Sequence, residues 1–204
     1  NITRRQHLTL RAVDILNERI ERRITPVGDV VPADVQVETF AGERVALAQL
    51  YTKKPLLLGF MRASWCPYCR AQVEMLSGMA ATFKELGCEI AVVTRETASE
   101  SAFKSDALTL ITDTTNALGK RLNMTYFATD ELKKIYADLG LGDELQGYWD
   151  TSELNVPATL IIDTDGRIVY KHARRDYTLR AAGSDIIREL TRLNNHANGG
   201  ASSS

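Results

Sequence analysis

The sequence has little of several features that would by themselves decide a fold class or a partner. Only three of its 204 residues are cysteine, which is too few for a small secreted fold built on disulfides. The net charge of -1 gives no electrostatic reason to expect nucleic acid or an anionic membrane surface as a partner. No apolar run approaches the roughly 20 residues that span a bilayer. We therefore expect a soluble globular protein, not bound to membrane, whose few thiols do chemistry.

The N-terminal stretch also lacks the apolar segment of a secretory signal peptide, because residues 1–5 lead into an amphipathic pattern. We expect a cytoplasmic protein, although CxxC proteins also occur in the periplasm and in organelles and a targeting segment can have been removed. With 44% hydrophobic and 25% charged residues, the composition is ordinary for a globular protein, and the length suits one large domain or one domain with added arms.

The densest chemistry lies in the segment Trp65-Cys66-Pro67-Tyr68-Cys69, which follows an apolar strand pattern and leads into a helical pattern. This order of strand, CxxC and helix is typical of a redox-active dithiol. Cys66 is predicted at the helix N-terminus, where free N–H groups and the helix dipole favour a thiolate, and Pro67 suits the first turn. We expect Cys66 to attack and Cys69 to resolve the intermediate, with Trp65, Pro67 and Tyr68 shaping the surface that meets the substrate.

A CxxC pair is also half of a structural zinc site, and zinc takes four ligands. The other candidate ligands are Cys88, His7, His172 and His196, and they contain no second closely spaced pair. We therefore predict neither a metal nor an organic cofactor, and keep a non-catalytic metal-binding or redox-sensing module as an alternative. Cys88 is interpreted as a small buried apolar residue, the alternative being a second resolving thiol.

Helical and strand patterns alternate along the chain, and a hairpin follows. The predicted strands cover residues 35–40, 55–61, 89–94, 108–112, 158–163 and 167–172. The predicted helices cover residues 8–24, a long stretch from the CxxC to about residue 87, 96–105, 114–122, 130–139 and a last helix that Ser184 caps. These patterns predict an α/β protein with a thioredoxin-like fold, in which helices flank a central mixed sheet and a segment is inserted before the strand at 158.

Three regions follow from this organisation. Residues 1–27 form an N-terminal helical arm whose narrow apolar face packs either on its own domain, the favoured interpretation, or on a second copy in a homodimer. Residues 28–196 form the thioredoxin-like domain. Residues 197–204 are rich in glycine and serine and form a disordered tail.

Val156-Pro157 stands directly before the predicted strand at 158. In thioredoxin-fold proteins a cis-proline loop lies opposite the CxxC and offers backbone groups to the substrate. We therefore predict a cis peptide before Pro157 and assign both residues to the substrate site, the alternative being an ordinary trans proline at a strand start. Arg62 and Arg70 either lower a thiol pKa or are solvated surface charges. His172 is interpreted as a surface residue.

Three segments of the sequence resemble peroxiredoxin-like proteins of the alkyl hydroperoxide reductase/thiol-specific antioxidant (AhpC/TSA) group. They are Phe60 to Arg70, Val156 to Ile168, and Asp176-Tyr177-Thr178-Leu179-Arg180. The resemblance covers about residues 28–193. A typical peroxiredoxin has Pro, Thr and Cys at fixed spacing, with a later Arg.

Here three of the four positions of that pattern hold a different residue, and the Cys position is kept. Arg62 stands at the Pro position, Cys66 at the Thr position and Cys69 at the peroxidatic Cys position, and the later Arg falls near Pro157. The resemblance implies a thiol-dependent oxidoreductase of antioxidant type that reduces peroxides or disulfides, with thioredoxin or glutathione as the reductant. A dedicated thiol–disulfide exchange protein without peroxidase activity is the alternative.

Overall fold

The computed structural model of the chain describes residues 2–19, 24–141, 153–174 and 176–199. Within these ranges the chain forms a seven-stranded mixed sheet with helices on both faces and a separate two-stranded sheet. The predicted loop around Tyr148 and Trp149 and the last five residues lie outside the described residues.

The strands of the main sheet lie in the order β2-β1-β5-β4-β3-β8-β9. Their bounds are Gln36–Thr39 (β1), Arg44–Ala46 (β2), Leu56–Phe60 (β3), Glu89–Thr94 (β4), Thr109–Thr112 (β5), Ala158–Ile162 (β8) and Ile168–Ala173 (β9). The small sheet pairs β6 (Thr125–Phe127) with β7 (Glu153–Asn155). The sequence pattern did not predict β2, β6 or β7.

The centre of the main sheet is apolar because both of its faces are covered. β3 and β4 run parallel, with Leu56 opposite Glu89 and Phe60 opposite Val93, and every residue of β3 is buried. Alternate residues of β3 enter two different cores: Leu57 faces one and Leu58 faces the other. Strands buried on both faces read as continuous apolar runs rather than as alternating ones, which is the pattern of residues 56–60.

β8 and β9 form the predicted hairpin. Asp163 N–H donates to Arg167 O across the turn, and Gly166 has a φ of +84°. A side chain at Gly166 would also meet Tyr51, whose hydroxyl lies 3.1 Å from the position of a Cβ. The turn therefore requires glycine for its backbone angle and for its close contact.

Seven helices are present in the described residues: Arg4–Arg19 (α1), Ala48–Tyr51 (α2), Pro67–Gly78 (α3), Ala80–Glu85 (α4), Ala117–Arg121 (α5), Asp130–Asp138 (α6) and Gly183–Gly199 (α7). The long helix predicted after the CxxC is divided into α3 and α4 at Met79. Residues 96–105, predicted as a helix, contain none. The backbone N–H groups of Thr97, Ala102 and Phe103 donate instead to side chains, those of Glu100, Ser64 and Ser101. α7 begins at Gly183, so Ser184 lies inside the helix, which continues to Gly199.

The N-terminal helix α1 packs on the domain that follows it in the chain. Its buried face joins the core that contains both thiols of the CxxC, and the helix lies against α6. Leu16 is 1% exposed, and an exposed ion pair of 2.7 Å joins Arg11 to Glu131. Within the chain, α1 thus covers part of the core of its own domain.

This architecture is the thioredoxin-like α/β fold that the sequence predicted, with a central mixed sheet between helices. None of the helices in the described ranges is long and apolar enough to cross a membrane.

Candidate active site

The site is built at the carboxyl ends of the parallel strands β3 and β4. Residues 61–66 leave β3 as a short loop, and Cys66 is the N-cap of α3, with extended backbone angles of φ -81° and ψ 116°. Pro67 is the first helical residue, where its missing N–H costs nothing. The carbonyl of Cys66 accepts from the N–H groups of Cys69 and Arg70, each at 3.0 Å.

Cys66 and Cys69 are free thiols, and both are fully buried. One helical turn separates them, and the Cys69 thiol donates a hydrogen bond to the sulfur of Cys66. Pro67 is exposed and Tyr68 is half-buried, so the two residues between the thiols reach the surface while the sulfur atoms do not.

The guanidinium of Arg62 lies next to the sulfur of Cys66. Arg62 is only 2% exposed; its Nη2 donates to Cys66 Sγ at 3.1 Å and its Nη1 donates to the hydroxyl of Tyr136 at 2.6 Å. Three aromatic rings surround the guanidinium carbon: Tyr177 at 4.1 Å, Trp65 at 5.1 Å and Tyr136 at 5.3 Å. A buried cation is costly unless it is paired, and here the ring faces and the two hydrogen bonds replace its lost hydration.

The groups around the two thiols shift their pKa values in opposite directions. Burial acts to raise the pKa of Cys66, but the hydrogen bond from Cys69 and the charges of Arg62 and Arg180 outweigh it and lower that pKa well below its ordinary value. Burial, the hydrogen bond to Cys66 and the negative charge on Cys66 raise the pKa of Cys69 well above its ordinary value. The site therefore favours the ionised form of Cys66 and disfavours that of Cys69.

A second arginine reaches the pair from the segment that precedes α7. Arg180 Nη2 lies 3.5 Å from Cys69 Sγ. Gln72 of α3 donates to the carbonyl of Ala181 at 3.3 Å, which ties this segment to the CxxC helix. The rings of Tyr68 and Tyr177 meet edge to face, with centroids 5.8 Å apart.

Trp65, Val156 and Pro157 were predicted to lie around the thiols, and all three are buried. Trp65 is buried against Arg62, and its ring is tilted against that of Tyr136 with centroids 6.3 Å apart. Val156 is buried in the core that includes both thiols. Pro157 is buried between β7 and β8.

The prediction of a cis peptide before Pro157 is wrong, since this peptide is trans. The chain passes from β7 into β8 through Val156 and Pro157, and Val156 N–H donates to the carbonyl of Met124 at 2.7 Å. The trans form is the isomer of lower energy for a peptide bond before proline.

Three residues described above were not identified from the sequence, namely Tyr136, Tyr177 and Arg180. Tyr177 and Arg180 lie in a segment that carries the family resemblance, but the resemblance assigned neither residue a role. Tyr136 continues the apolar face of α6 with Leu132 and Ile135, and such a position is typical of a core residue. Nothing in its pattern indicates an arginine partner 74 positions earlier.

The remaining cysteine and histidine candidates lie apart from this chemistry. Cys88 is fully buried, as predicted, and burial raises the pKa of its thiol to about 12. His172 is half-buried on β9 rather than at the surface, and its burial lowers its pKa. In the part of the chain that the structure describes, no group of three or more His, Cys, Asp or Glu residues could hold a metal ion.

Comparisons with known proteins agree with this architecture. Residues 27–171 match the model of the AhpC/TSA family. The fold is similar to that of reduced Prx3 of Vibrio vulnificus in complex with H2O2, with 14% identity, a TM-score of 0.65 and coverage of 85% of this chain and 100% of that one.

It is also similar to AhpC of Enterococcus faecalis, with 14% identity, a TM-score of 0.64 and coverage of 87% and 97% of the two chains. A third similar structure is PrxQ of Xylella fastidiosa, with 17% identity, a TM-score of 0.60 and coverage of 85% of this chain and 98% of that one. A comparison with curated proteins finds no match. The family model covers well over half of the sequence, and the chain therefore belongs to the AhpC/TSA family.

Proposed function

We propose that this protein is a thiol-dependent peroxidase in which Cys66 attacks the peroxide and Cys69 resolves the product. The observation that carries the proposal is the buried pair of Arg62 and Cys66, joined at 3.1 Å. A cation held beside one thiol, with a protonated second thiol one turn away, is the arrangement that a two-step dithiol reaction needs.

In the first step the thiolate of Cys66 attacks one oxygen of a hydroperoxide. The S–O bond forms and the O–O bond breaks, leaving a sulfenic acid on Cys66 and an alkoxide or hydroxide that leaves as alcohol or water after taking up a proton. Arg62 donates to the sulfur of Cys66, so its positive charge lies beside the reacting atoms. This charge stabilises the negative oxygen that develops as the O–O bond breaks.

In the second step the thiol of Cys69 attacks the sulfur of the sulfenic acid. A disulfide forms between Cys66 and Cys69, and the sulfenic oxygen leaves as water. Two thiol equivalents from an external reductant, thioredoxin or glutathione in this proposal, then return both cysteines to the reduced form. The balance is one hydroperoxide and two thiols giving one alcohol, one water and one disulfide.

Burial favours a peroxide over a protein disulfide as the oxidant. Both sulfur atoms are fully buried, and a hydroperoxide is small enough to enter with little rearrangement, whereas a protein disulfide requires the surrounding side chains to open. Trp65 and Tyr68 would form the wall that the peroxide passes, with Val156 and Pro157 below it. Disulfide exchange is the second candidate, because a CxxC at a helix N-terminus is also the arrangement of disulfide reductases.

Peroxide consumption separates the two functions. The pre-reduced protein is mixed with H2O2 or an organic hydroperoxide, and in a parallel assay with insulin. We expect one equivalent of peroxide to be consumed with loss of one thiol pair, and a Cys66→Ser variant to consume none. Reduction of insulin by a protein that leaves both peroxides untouched would refute the peroxidase function and favour disulfide exchange.

A further inference from the structure

Ser64 lies midway between Arg62 and Cys66 in the chain, and each of its polar atoms is bonded. Its N–H donates to Glu96 Oε2 at 2.8 Å and its hydroxyl donates to Glu96 Oε1 at 2.7 Å. The hydroxyl also accepts from Ala102 N–H at 2.9 Å, and the carbonyl accepts from Arg70 Nη1 at 2.9 Å. This residue is thus fixed in position and in orientation.

Most of this fixation comes from one buried carboxylate. Glu96 follows β4 by two residues and is 6% exposed. Besides its two bonds from Ser64, it accepts from the hydroxyl of Ser101 at 2.8 Å and from that of Thr94 at 3.4 Å. A carboxylate that is kept from water is tolerated when donors surround it in this way.

The opposite end of the same loop is held by a second buried side chain. Asn155 of β7 donates from Nδ2 to the carbonyl of Met61 at 3.1 Å, and Met61 N–H donates to Val93 O at 2.9 Å. The loop is thus attached at Met61 by Asn155 and at Ser64 by Glu96. Arg62 lies between these two points, and Cys66 follows Ser64 by two residues. The distance between the guanidinium and the sulfur therefore depends on where Glu96 holds Ser64.

We propose that Glu96 is a positioning residue, which acts through Ser64 to hold the sulfur of Cys66 within hydrogen-bond distance of the Arg62 guanidinium. Two physical effects of Glu96 on Cys66 have opposite signs. As a negative charge, Glu96 disfavours the thiolate, so its removal would lower the pKa of Cys66. As a positioning residue, it maintains the contact with Arg62, so its removal raises that pKa.

The test is a titration of Cys66 in the full-length Glu96→Gln variant, followed by the ultraviolet absorbance of the thiolate, with a matched Cys66→Ser protein subtracted. We expect the midpoint to move to higher pH by about half a unit or more, which is a loss of thiolate of about threefold below the midpoint. Asp113→Asn is the control, because Asp113 is a buried carboxylate whose side chain accepts from Gly119 N–H at 3.0 Å and does not bond to Ser64. We expect this control to leave the midpoint where it is.

Ser64→Ala keeps the charge of Glu96 and removes one of its bonds to the loop, so it provides the answer if Glu96→Gln does not fold. We expect it to raise the midpoint in the same direction. A folded Glu96→Gln protein whose midpoint is unchanged or lower would overturn the proposal, as would an unchanged midpoint in Ser64→Ala when only that variant folds. The inference concerns the thiol of the proposed function, but the titration uses no peroxide, so it can fail or hold independently of the peroxidase activity.

Discussion

Arg62 Nη2 lies 3.1 Å from Cys66 Sγ, and both side chains are almost completely excluded from water. Arg62 precedes Cys66 by four residues, so one short loop supplies both members of the pair. In water the attraction between two such charged groups would be weak, but away from solvent the same attraction is much stronger because the dielectric constant is lower. Together with the hydrogen bond from Cys69, the pair accounts for the lowered pKa of the Cys66 thiol at a fully buried position, where burial alone would raise that pKa.

Arg62→Lys tests whether the shape of the cation matters as well as its charge. Lysine cannot donate to Cys66 and Tyr136 from a planar fork, nor stack in the same way among the three rings. We expect the pKa of Cys66 to rise and peroxide consumption to fall by on the order of 10²-fold, the cost of losing one donor at a site of developing negative charge. Stopped-flow mixing with H2O2 measures this rate.

Arg121→Lys is the matched control, because Arg121 forms an exposed ion pair with Asp34 at 2.9 Å. Its peroxide rate should equal that of the wild type. Equal rates for Arg62→Lys and Arg121→Lys would show that the guanidinium of Arg62 takes no part in the reaction.

Tyr136→Phe tests the support of the same guanidinium. The substitution removes the acceptor of the 2.6 Å bond from Arg62 and leaves a buried N–H group without it. Such a loss costs about 1–3 kcal/mol in the free energy of unfolding. Urea denaturation should show this decrease, and a much smaller one for Tyr51→Phe, which removes a hydroxyl from a tyrosine in the opposite core. Equal values for the two variants would contradict the supporting role.

The sequence predicted the sheet better than it predicted the site. The apolar runs of β3, β4 and β8 and the turn before β9 are local patterns, and each was found at its predicted place. The position of Cys66 at the start of α3 was also local, since Pro67 marks the first turn.

The partners of Arg62 could not be predicted in this way, because they depend on packing between distant elements. Tyr136 comes from α6 and Tyr177 from the segment before α7. The local sequence around each tyrosine does not show that its ring packs against Arg62. The prediction of a cis Pro157 failed for a related reason. It rested on the presence of the CxxC, whereas the isomer depends on how the chain passes from β7 to β8.

Leu16→Ala tests whether α1 belongs to the core of its own chain. Leu16 is 1% exposed and lies in the core that contains the thiols, so its truncation should lower the free energy of unfolding by about 2–5 kcal/mol. Leu10 on the same helix is 52% exposed, and Leu10→Ala should change the free energy little. Urea denaturation at several protein concentrations measures both. A loss that varies with concentration would indicate that α1 packs on a second copy.

Cys88 provides a prediction about pH. Its thiol has a pKa of about 12 in the folded protein and an ordinary value near 9 when unfolded, so the folded state binds the proton more tightly. Stability from this group is complete below the unfolded pKa and is lost as the pH rises towards 12. The loss is on the order of 2 kcal/mol between about pH 9 and about pH 11.

Unfolding free energies of wild type and Cys88→Ala across this alkaline range check the prediction. The variant should start lower, because it lacks the buried sulfur, and should then fall less steeply with pH. Parallel pH curves would mean that Cys88 does not titrate in this way.

The most direct test of the account is to find which sulfur takes the peroxide oxygen. Reduced Cys69→Ser and Cys66→Ser proteins are each treated with one equivalent of H2O2, and sulfenic acid is trapped and located by mass spectrometry. With Arg62 beside Cys66, we predict sulfenic acid on Cys66 in the first protein, and an unmodified Cys69 with unconsumed peroxide in the second. Sulfenic acid on Cys69 in the Cys66→Ser protein, formed at the wild-type rate, would contradict the account and make Cys69 the attacking thiol.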